Sequence, residues 1–518
     1  MRKDYKVTKV ISILVMLATI GASIYAYMTV KGLGVLPQKY IDYITYGLLG
    51  FNFLFGLLAF IPKVSKINKI LQIIICTGVA AALIVASIKI PEYKGKIERT
   101  FTQIPDEGTL NINVYTKADS PIKDVHDLET VEVTVVKGLD EEYTQYALKV
   151  ISRELNGKTI KTTEIEDVYA AFEALYAGTI PAIMINETYA NIIADNADFE
   201  NFATDTRIVY NCIQPIKIEH DTSAVGSITT EPFIIGITAS DTWNYGNIIR
   251  DDGRIVLGRS DVNMIVAVNP NTKQVLIVTV PRDSYLGIGG NSNMMDKLTH
   301  HTIYGYDTWK RSLNTAFGVT INYFVRINFQ SLVNIVNALD GIDIDNPYEM
   351  TFKYNVFDPQ TGKPHLVEKT FEEGRIHLTG EETLGYVRDR YHSKGGDLGR
   401  NKHQAIVIKA LVDKVTSVSV ISHVDRLLEA IQGSFVTDLE INQIYALVQM
   451  QLDDMATWDI LNYSVTGTTG MATSYAMGAN TGNLYSMVFL NKDSINKGTT
   501  LLQKVLSGVE LTSEDTAQ

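Results

Sequence analysis

The sequence predicts an α/β protein held behind a membrane anchor of three helices, and three observations carry that expectation. Three uncharged apolar runs, Val10–Val30, Tyr43–Pro62 and Ile70–Ile88, are each about the 20 residues that cross a bilayer core of roughly 30 Å. Beyond them, short β-branched runs alternate with segments of helical periodicity over 110–215, and again from 233 onward. Charge divides at the same boundary: residues 1–90 carry a balance of +8, the rest of the 518-residue chain one of −20. An acidic soluble part repels nucleic acid. The segment before the first span, about ten residues, is too short for a DNA-binding module.

The first span follows Arg2, Lys3, Lys6 and Lys9, but it is too long for the apolar core of a signal peptide and two more spans follow. Lys31 and Lys39 lie in the first connection, Lys63, Lys66 and Lys69 in the second. That distribution favours a cytoplasmic N-terminus, and three spans then put everything after Ile90 outside the cell. Lys89, Lys94, Lys96 and Arg99 argue the other way, yet long domains translocate largely regardless of charge. Cys76 sits in the third span and Cys212 outside, so the soluble part is expected to fold without a disulfide.

In the first soluble stretch, Leu110–Tyr115, Val131–Val136 and Ile180–Ile185 read as strands, and Glu141–Leu155 and Glu166–Tyr176 as helices closed by Asn156-Gly157 and Gly178. Their order resembles one lobe of an extracellular solute-binding protein without a ligand-specific motif, so a packing or docking role is the simpler reading. A polar connector near His220–Glu231 leads to a second unit. Its strands are Phe233–Thr238, Asn263–Val268 and Val275–Val280, the last two joined by the turn Asn269-Pro270-Asn271-Thr272. If those two form a hairpin, Asp261 and Arg282 meet at its open end. Helices Trp309–Phe317 and Phe329–Leu339, strand Ile342–Asn346 and helix Leu398–Val415 follow.

Three arginine–aspartate blocks stand out in this acidic region: Gly258-Arg259-Ser260-Asp261, Pro281-Arg282-Asp283, and Arg388-Asp389-Arg390 through Asp397 and Arg400 to Gln404. Arg388 and Arg390, two apart, share one face if the segment is extended. Arg400 and Gln404 share a helical face, with Arg400 in the first turn beside unpaired N–H groups and Asp397 ahead as a cap. One arginine would be explained by an ion pair with Asp283, Asp389 or Asp397. Five in three blocks favour a phosphate or pyrophosphate pocket. Asp241 and Asp261 are hard oxygen donors suited to Mg²⁺ or Mn²⁺. His300-His301 lacks metal-ligand spacing, and Ser260 lies in no nucleophile elbow.

These blocks, with Thr238-Ala239-Ser240-Asp241 and Asp296-Lys297-Leu298-Thr299-His300, resemble the LytR-CpsA-Psr family over about residues 230–415. The three spans and the preceding α/β domain are similar to its capsule-associated CpsA branch. The resemblance implies an α/β/α sandwich and a metal-dependent phosphotransferase of the Gram-positive cell wall. Such an enzyme moves a glycopolymer phosphate, capsular polysaccharide or similar, from an undecaprenyl-pyrophosphate carrier onto peptidoglycan, with capsule-synthesis proteins as partners. On that pattern Asp241 and Asp261 hold Mg²⁺ or Mn²⁺, and Arg259, Arg282, Lys297, Arg388, Arg390, Arg400 and Gln404 grip pyrophosphate. Arg259, Asp261 and Asp397 are the catalytic candidates, with Asp397 and Asp283 open as general base. The charged loop Asn244–Leu257 departs from the pattern. A lipid-precursor sensor and a lipid pyrophosphatase are the competing readings. The expected layout is a membrane domain over 1–92, an extracellular accessory domain over 93–228, the catalytic domain over 229–420, an extension packed on it over 421–507, and a disordered tail over 508–518.

Overall fold

The computed structural model describes residues 2–34, 36–61, 64–100, 102–103, 107–193, 197–199, 201–217, 223–240, 258–357, 364–389, 397–417, 423–431, 435–478 and 483–517. Three long apolar helices come first: α1 (Arg2–Leu33), α2 (Gln38–Phe60) and α3 (Lys66–Thr100). They match the three runs read from sequence, and each is long and apolar enough to cross a membrane. Leu14, Leu17, Phe53, Leu57 and Ile74 point outward, which suits lipid and not water. Polar groups between the helices find each other: Ser12 Oγ donates to Gln72 Oε1 at 2.6 Å and Asn52 Nδ2 to Ser23 Oγ at 3.0 Å. The buried Lys69 ammonium caps α2 by donating to the carbonyls of Leu58 and Ala59 at 3.0 and 2.9 Å. The connection between α1 and α2 touches the soluble part, with Gln449 Nε2 donating to Gly34 O at 2.7 Å and Lys39 3.4 Å from Asp453. Residues 34–40 and the soluble part therefore share one side, as an odd number of spans requires.

After the two-residue strand β1 (Thr102–Gln103) comes the first soluble unit. It runs β2 (Glu107–Lys117), β3 (Glu132–Val136), α4 (Glu141–Glu154), β4 (Lys161–Ile165), α5 (Val168–Ala177), β5 (Ala182–Asn186), α6 (Glu187–Ile193), α7 (Phe202–Asp205) and β6 (Thr206–Lys217). The sheet order is β4-β3-β5-β2-β6, with β3 parallel to β4 and β5. On one face Ala147, Ile151 and Leu155 pack with Val133 and Met184; on the other Phe172 and Leu175 pack with Ile183 and Ile185. Asp167 caps α5 through Ala170 N at 3.0 Å, and Gly178 at φ 71° ends it. Strand β6, not expected from sequence, carries Pro215, which an edge strand tolerates.

The second unit continues with β7 (Phe233–Ser240), β8 (Val262–Asn269), β9 (Gln274–Thr279), β10 (Tyr285–Ile288), β11 (Asn291–Lys297), α8 (Leu298–His301), α9 (Tyr306–Phe317), β12 (Tyr323–Asn328) and α10 (Phe329–Ala338). Two small antiparallel pairs follow, β13 (Ile342–Asn346) with β16 (Gly374–Leu378), and β14 (Met350–Phe357) with β15 (Pro364–Phe371). Then come α11 (Gly380–Arg388), α12 (Asp397–Val415), α13 (Val424–Ile431), β17 (Phe435–Thr437), α14 (Ile441–Asp454), β18 (Asp459–Ser464), β19 (Gly467–Ala472), α15 (Tyr475–Gly478), β20 (Tyr485–Leu490), α16 (Lys492–Leu506) and α17 (Ser513–Thr516). Among the described residues the central sheet is seven-stranded, in the order β1-β17-β12-β7-β8-β9-β18. Alternate β8 residues face opposite layers: Ile265 and Ala267 meet Trp309 and Leu313 of α9 and Leu502 of α16, while Met264 and Val266 meet Ile408 and Val412 of α12. The expected α/β/α sandwich is present. Gly236 of β7 is where a Cβ would fall 2.6 Å from the Trp309 ring, so this position must lack one.

Three expected boundaries shift. Residues 421–507 are not an appended extension: β18 lies in register beside β9, β17 beside β12, and α16 covers one sheet face. β1 belongs to this sheet as well, paired with β17 although it precedes the first soluble unit. Residues 509–517, expected as part of a disordered tail, are held against the sheet. Gln274 imitates a backbone partner, donating from Nε2 to Leu511 O and accepting from Leu511 N, both at 2.9 Å, and Leu511 is buried.

Candidate active site

The β8–β9 hairpin forms as expected, with Met264 opposite Thr279. Its open end brings Asp261 and Arg282 into an ion pair between Asp261 Oδ1 and Arg282 Nη1. The neighbouring chain is stitched across that end: Ser260 N donates to Thr299 O at 2.9 Å, Thr299 N to Arg282 O at 2.8 Å, and Asp261 N to Ala239 O at 2.7 Å. Asp283 lies 3.8 Å from Arg282 Nε and 3.6 Å from Lys297 Nζ. Around these residues opens a cleft of about 240 Å³, lined by Arg259, Arg282, Asp283, Lys297 and His300 among others. Among the described residues that line it, three cations stand against one carboxylate, a balance that favours an anion. It lies at the carboxyl ends of β7 and β9, where open α/β sheets bind ligands.

Two supports take their roles only from the fold, one of them unmarked in the sequence. Arg326 in β12 is 1% exposed and lies 5.5 Å from the Tyr306 ring, donating to Arg259 O at 3.2 Å and Gly258 O at 3.4 Å. A lone arginine in a strand gives no signal that it will clamp a loop contributed by another strand. The second is Asp296, fully buried and accepting from Lys297 N at 2.7 Å, Ser474 Oγ at 2.8 Å, Ala476 N at 2.7 Å and His300 Nδ1 at 2.9 Å. Burial alone would raise this carboxyl, but the His300 charge and hydrogen bond, with the Ala476 and Ser474 donors, hold it below the ordinary range. The Asp296 carboxylate, an acceptor only, orients the ring with its Nδ1–H toward Asp296 and its Nε2 edge away from it. Its neighbour His301 is held by Ser312 Oγ at 2.7 Å, and burial pushes it down to about 4.

The third block lies elsewhere on the same edge. The segment bearing Arg388 is not extended. Thr379 and Glu382 form a capping box, and buried Leu384, Tyr386 and Val387 wind α11 up to Arg388. The Arg388 guanidinium then lies 5.1 Å from the Phe329 ring, and Phe329 packs with Ala239 at the end of β7, on the α10–α12 face of the sheet. Gln404 is buried on α12. Neither belongs to the lining of the described cleft. α12 begins at Asp397, so Arg400 falls in its first turn as expected. Asp241, Arg390, the Asn244–Leu257 loop and the side chains of Asp397 and Arg400 lie outside the described residues. Asp261 suits one hard-oxygen bond to a divalent cation, in competition with Arg282. No cluster of three metal-ligand side chains forms among the described residues.

Residues 214–503, more than half of the chain, match the LytR_cpsA_psr family. The chain belongs to that family. It is 34% identical over 227 residues to the polyisoprenyl-teichoic acid–peptidoglycan teichoic acid transferase TagU of Enterococcus faecalis, covering 43% of this chain and 66% of that protein. It is 31% identical over 235 residues to the transferase of the same name from Bacillus cereus, covering 45% of this chain and 69% of that protein. The crystal structure of B. subtilis TagV aligns with 54% of this chain and 98% of that one, at 24% identity and a TM-score of 0.41. The match to the LytR_cpsA_psr family takes in the first two arginine blocks, the third, and β17 to α16, whose inclusion agrees with their place in the central sheet.

Proposed function

We propose that this chain is a phosphotransferase that moves a glycopolymer phosphate from an undecaprenyl-pyrophosphate carrier onto peptidoglycan, the glycopolymer being a capsular polysaccharide or a polymer like it. The observation that carries this reading is the cationic cleft of Arg259, Arg282 and Lys297, with the His300 ring, bonded to Asp296 through Nδ1, in its wall. The names of the relatives support the class of donor and acceptor. The three cations bind the pyrophosphate and take up charge that builds on its oxygens during transfer. An acceptor hydroxyl attacks the glycan-side phosphorus. A new P–O bond forms, the bridging P–O bond breaks, and polyprenyl phosphate leaves with the electron pair. His300 Nε2 takes the hydroxyl proton. Asp283, one of the two candidate carboxylate bases, is engaged on both sides, by Arg282 and Lys297. A Mg²⁺ or Mn²⁺ ion held by Asp261 and Asp241 would supply further neutralisation of phosphate charge. Arg388, Arg390, Arg400 and Gln404 would extend the grip from the α12 side. Positive residues in the first turns of α1, ahead of the apolar run, orient the chain so that this unit is extracytoplasmic.

The full-length chain in detergent, given lipid-pyrophosphate glycan, divalent metal and peptidoglycan, tests the reading. Covalent glycan on peptidoglycan, lost in Arg282→Ala, is the expected result. Release of glycan phosphate to water would make the chain a pyrophosphatase, and binding without turnover would make it a sensor. Either outcome refutes the transferase.

A further inference from the structure

The first soluble unit has no role in the chemistry above, yet it walls two clefts. Ile192 of α6 lines the cationic cleft. A second cleft, about 310 Å³, opens where this unit meets residues 303–311. Ligand pockets start at about this size and combine aromatic walls with a few convergent polar groups. The second cleft has that make-up. Asp140 stands four residues past the carboxyl end of β3 and Asn186 is the last residue of β5, at the edge where parallel strands present ligand-binding groups. Asn186 Nδ2 donates to Asp140 Oδ2 at 3.1 Å, and Asp140 is held at φ 48°, a left-handed conformation uncommon outside glycine. Tyr143, Tyr189 and Tyr304 supply the aromatic wall, with Tyr189 OH donating to Tyr304 OH at 3.3 Å.

Charge separates the two clefts. In the second, Asp140 and Asp307 stand against Lys217 and Arg311, a formal balance of zero. In the first, three cations face one carboxylate. The first suits phosphate. A neutral cleft with a carboxylate, an amide and phenol rings suits a ligand dense in hydroxyls with an apolar ring face, which is the chemistry of a pyranose. The clefts are also adjacent: His300 lines one and Tyr304 the other, about 6–8 Å apart along helical backbone.

We propose that the cleft between the first soluble unit and residues 303–311 binds a neutral sugar unit of a glycan whose phosphate lies in the cationic cleft, or of the glycan that accepts it. Its link to transfer rests on the proposed function; the sugar site itself does not. The test uses the full-length chain in detergent with three soluble probes: N-acetylglucosamine oligomers for the acceptor backbone, phosphate-free oligosaccharide released from the cell's own lipid-linked glycan for the donor, and inorganic pyrophosphate for the cationic cleft. Titration calorimetry should find one of the two sugars bound, identifying the source. Tyr143→Ala, at a half-buried position, and Arg311→Ala, at an exposed one, should each weaken that sugar at least ten-fold and leave pyrophosphate unchanged. Arg282→Ala should do the reverse. No measurable sugar binding, equal binding by both cleft variants, or pyrophosphate binding lost in Tyr143→Ala would overturn the proposal. Sugar bound normally by a chain that fails to transfer glycan would keep this site and reject the transferase.

Discussion

Replacing Asp296 with asparagine removes one charge from the buried node behind His300 and keeps its shape. Four donors converge on the two carboxylate oxygens, three on Oδ1 and one on Oδ2. An asparagine that keeps its carbonyl at the Oδ1 position points its NH₂ group at the Ala476 N–H, which is left unmatched at a cost of about 1–3 kcal/mol. The three remaining bonds fall from charge-assisted to neutral strength, about 1 kcal/mol each. Burying a neutral amide is cheaper than burying a carboxylate, so the net loss is about 3 kcal/mol. At about 2–4 °C per kcal/mol the unfolding midpoint should drop by about 6–12 °C. The second consequence is chemical. Without the carboxylate the imidazole no longer has its proton fixed on Nδ1, so glycan transfer should lose at least ten-fold in kcat while KM for the lipid donor moves less than two-fold. Circular dichroism melts and steady-state transfer assays measure the two effects. A melting midpoint within about 2 °C of the parent together with unchanged kcat would refute both the packing account and the role given to His300.

The low position of His301 has a pH signature. An unfolded histidine binds a proton near pH 6.5, whereas the buried one holds off to about 4, so stability is fully present above pH 6.5 and falls as the pH drops toward 4. The loss should approach about 3 kcal/mol at pH 4 and shrink in His301→Gln, read by urea unfolding at pH 7 and 4.5. Asp261→Asn and Arg282→Met should be non-additive by about 1–3 kcal/mol in a double-mutant cycle, because each single change strands a partly buried partner. Additive effects would dissolve the pair. Gly236→Ala places a methyl against Trp309 and Ile321 and should cost about 1–3 kcal/mol in chemical denaturation, and a neutral outcome would mean that the α9 layer yields easily.

Much of the fold was legible because strong periodicity and turn chemistry agreed. The β8–β9 hairpin and α12 fall within a few residues of their expected positions, and each expected span lies inside one long helix, α1 and α3 running on beyond the apolar run. The hairpin brought Asp261 to Arg282 with no appeal to a relative. What escaped detection was non-local. β11 reads Asn-Ser-Asn-Met-Met-Asp-Lys, too polar to announce a strand, and is made by a two-glycine turn with Gly289 and Gly290 at φ 61° and 85°. Arg388 was expected on an extended segment because Arg-x-Arg spacing was weighed above the Thr379 cap and the buried face that wind it into α11. Two of the four partners of Asp296 come from residues 474 and 476, far away in sequence, so nothing near Asp296 could reveal that half of the node.

α3 has 35 residues, about 52 Å of helix, against a hydrocarbon core of about 30 Å. It passes the chain within two residues to β1, which is hydrogen-bonded into the edge of the central sheet through β17. A flexible tether would let the cleft roam over a volume set by its length. Here the stalk and the sheet share a strand, so the working height above the bilayer is built into the fold. On the proposed function, a lipid-borne donor would reach the cleft by travelling in the plane of the membrane, and an acceptor from the wall would have to approach to that one altitude. Inserting a glycine-rich segment after Thr100 would uncouple α3 from β1, leave the β1–β17 pairing in place and release this setting without touching a residue of the cleft.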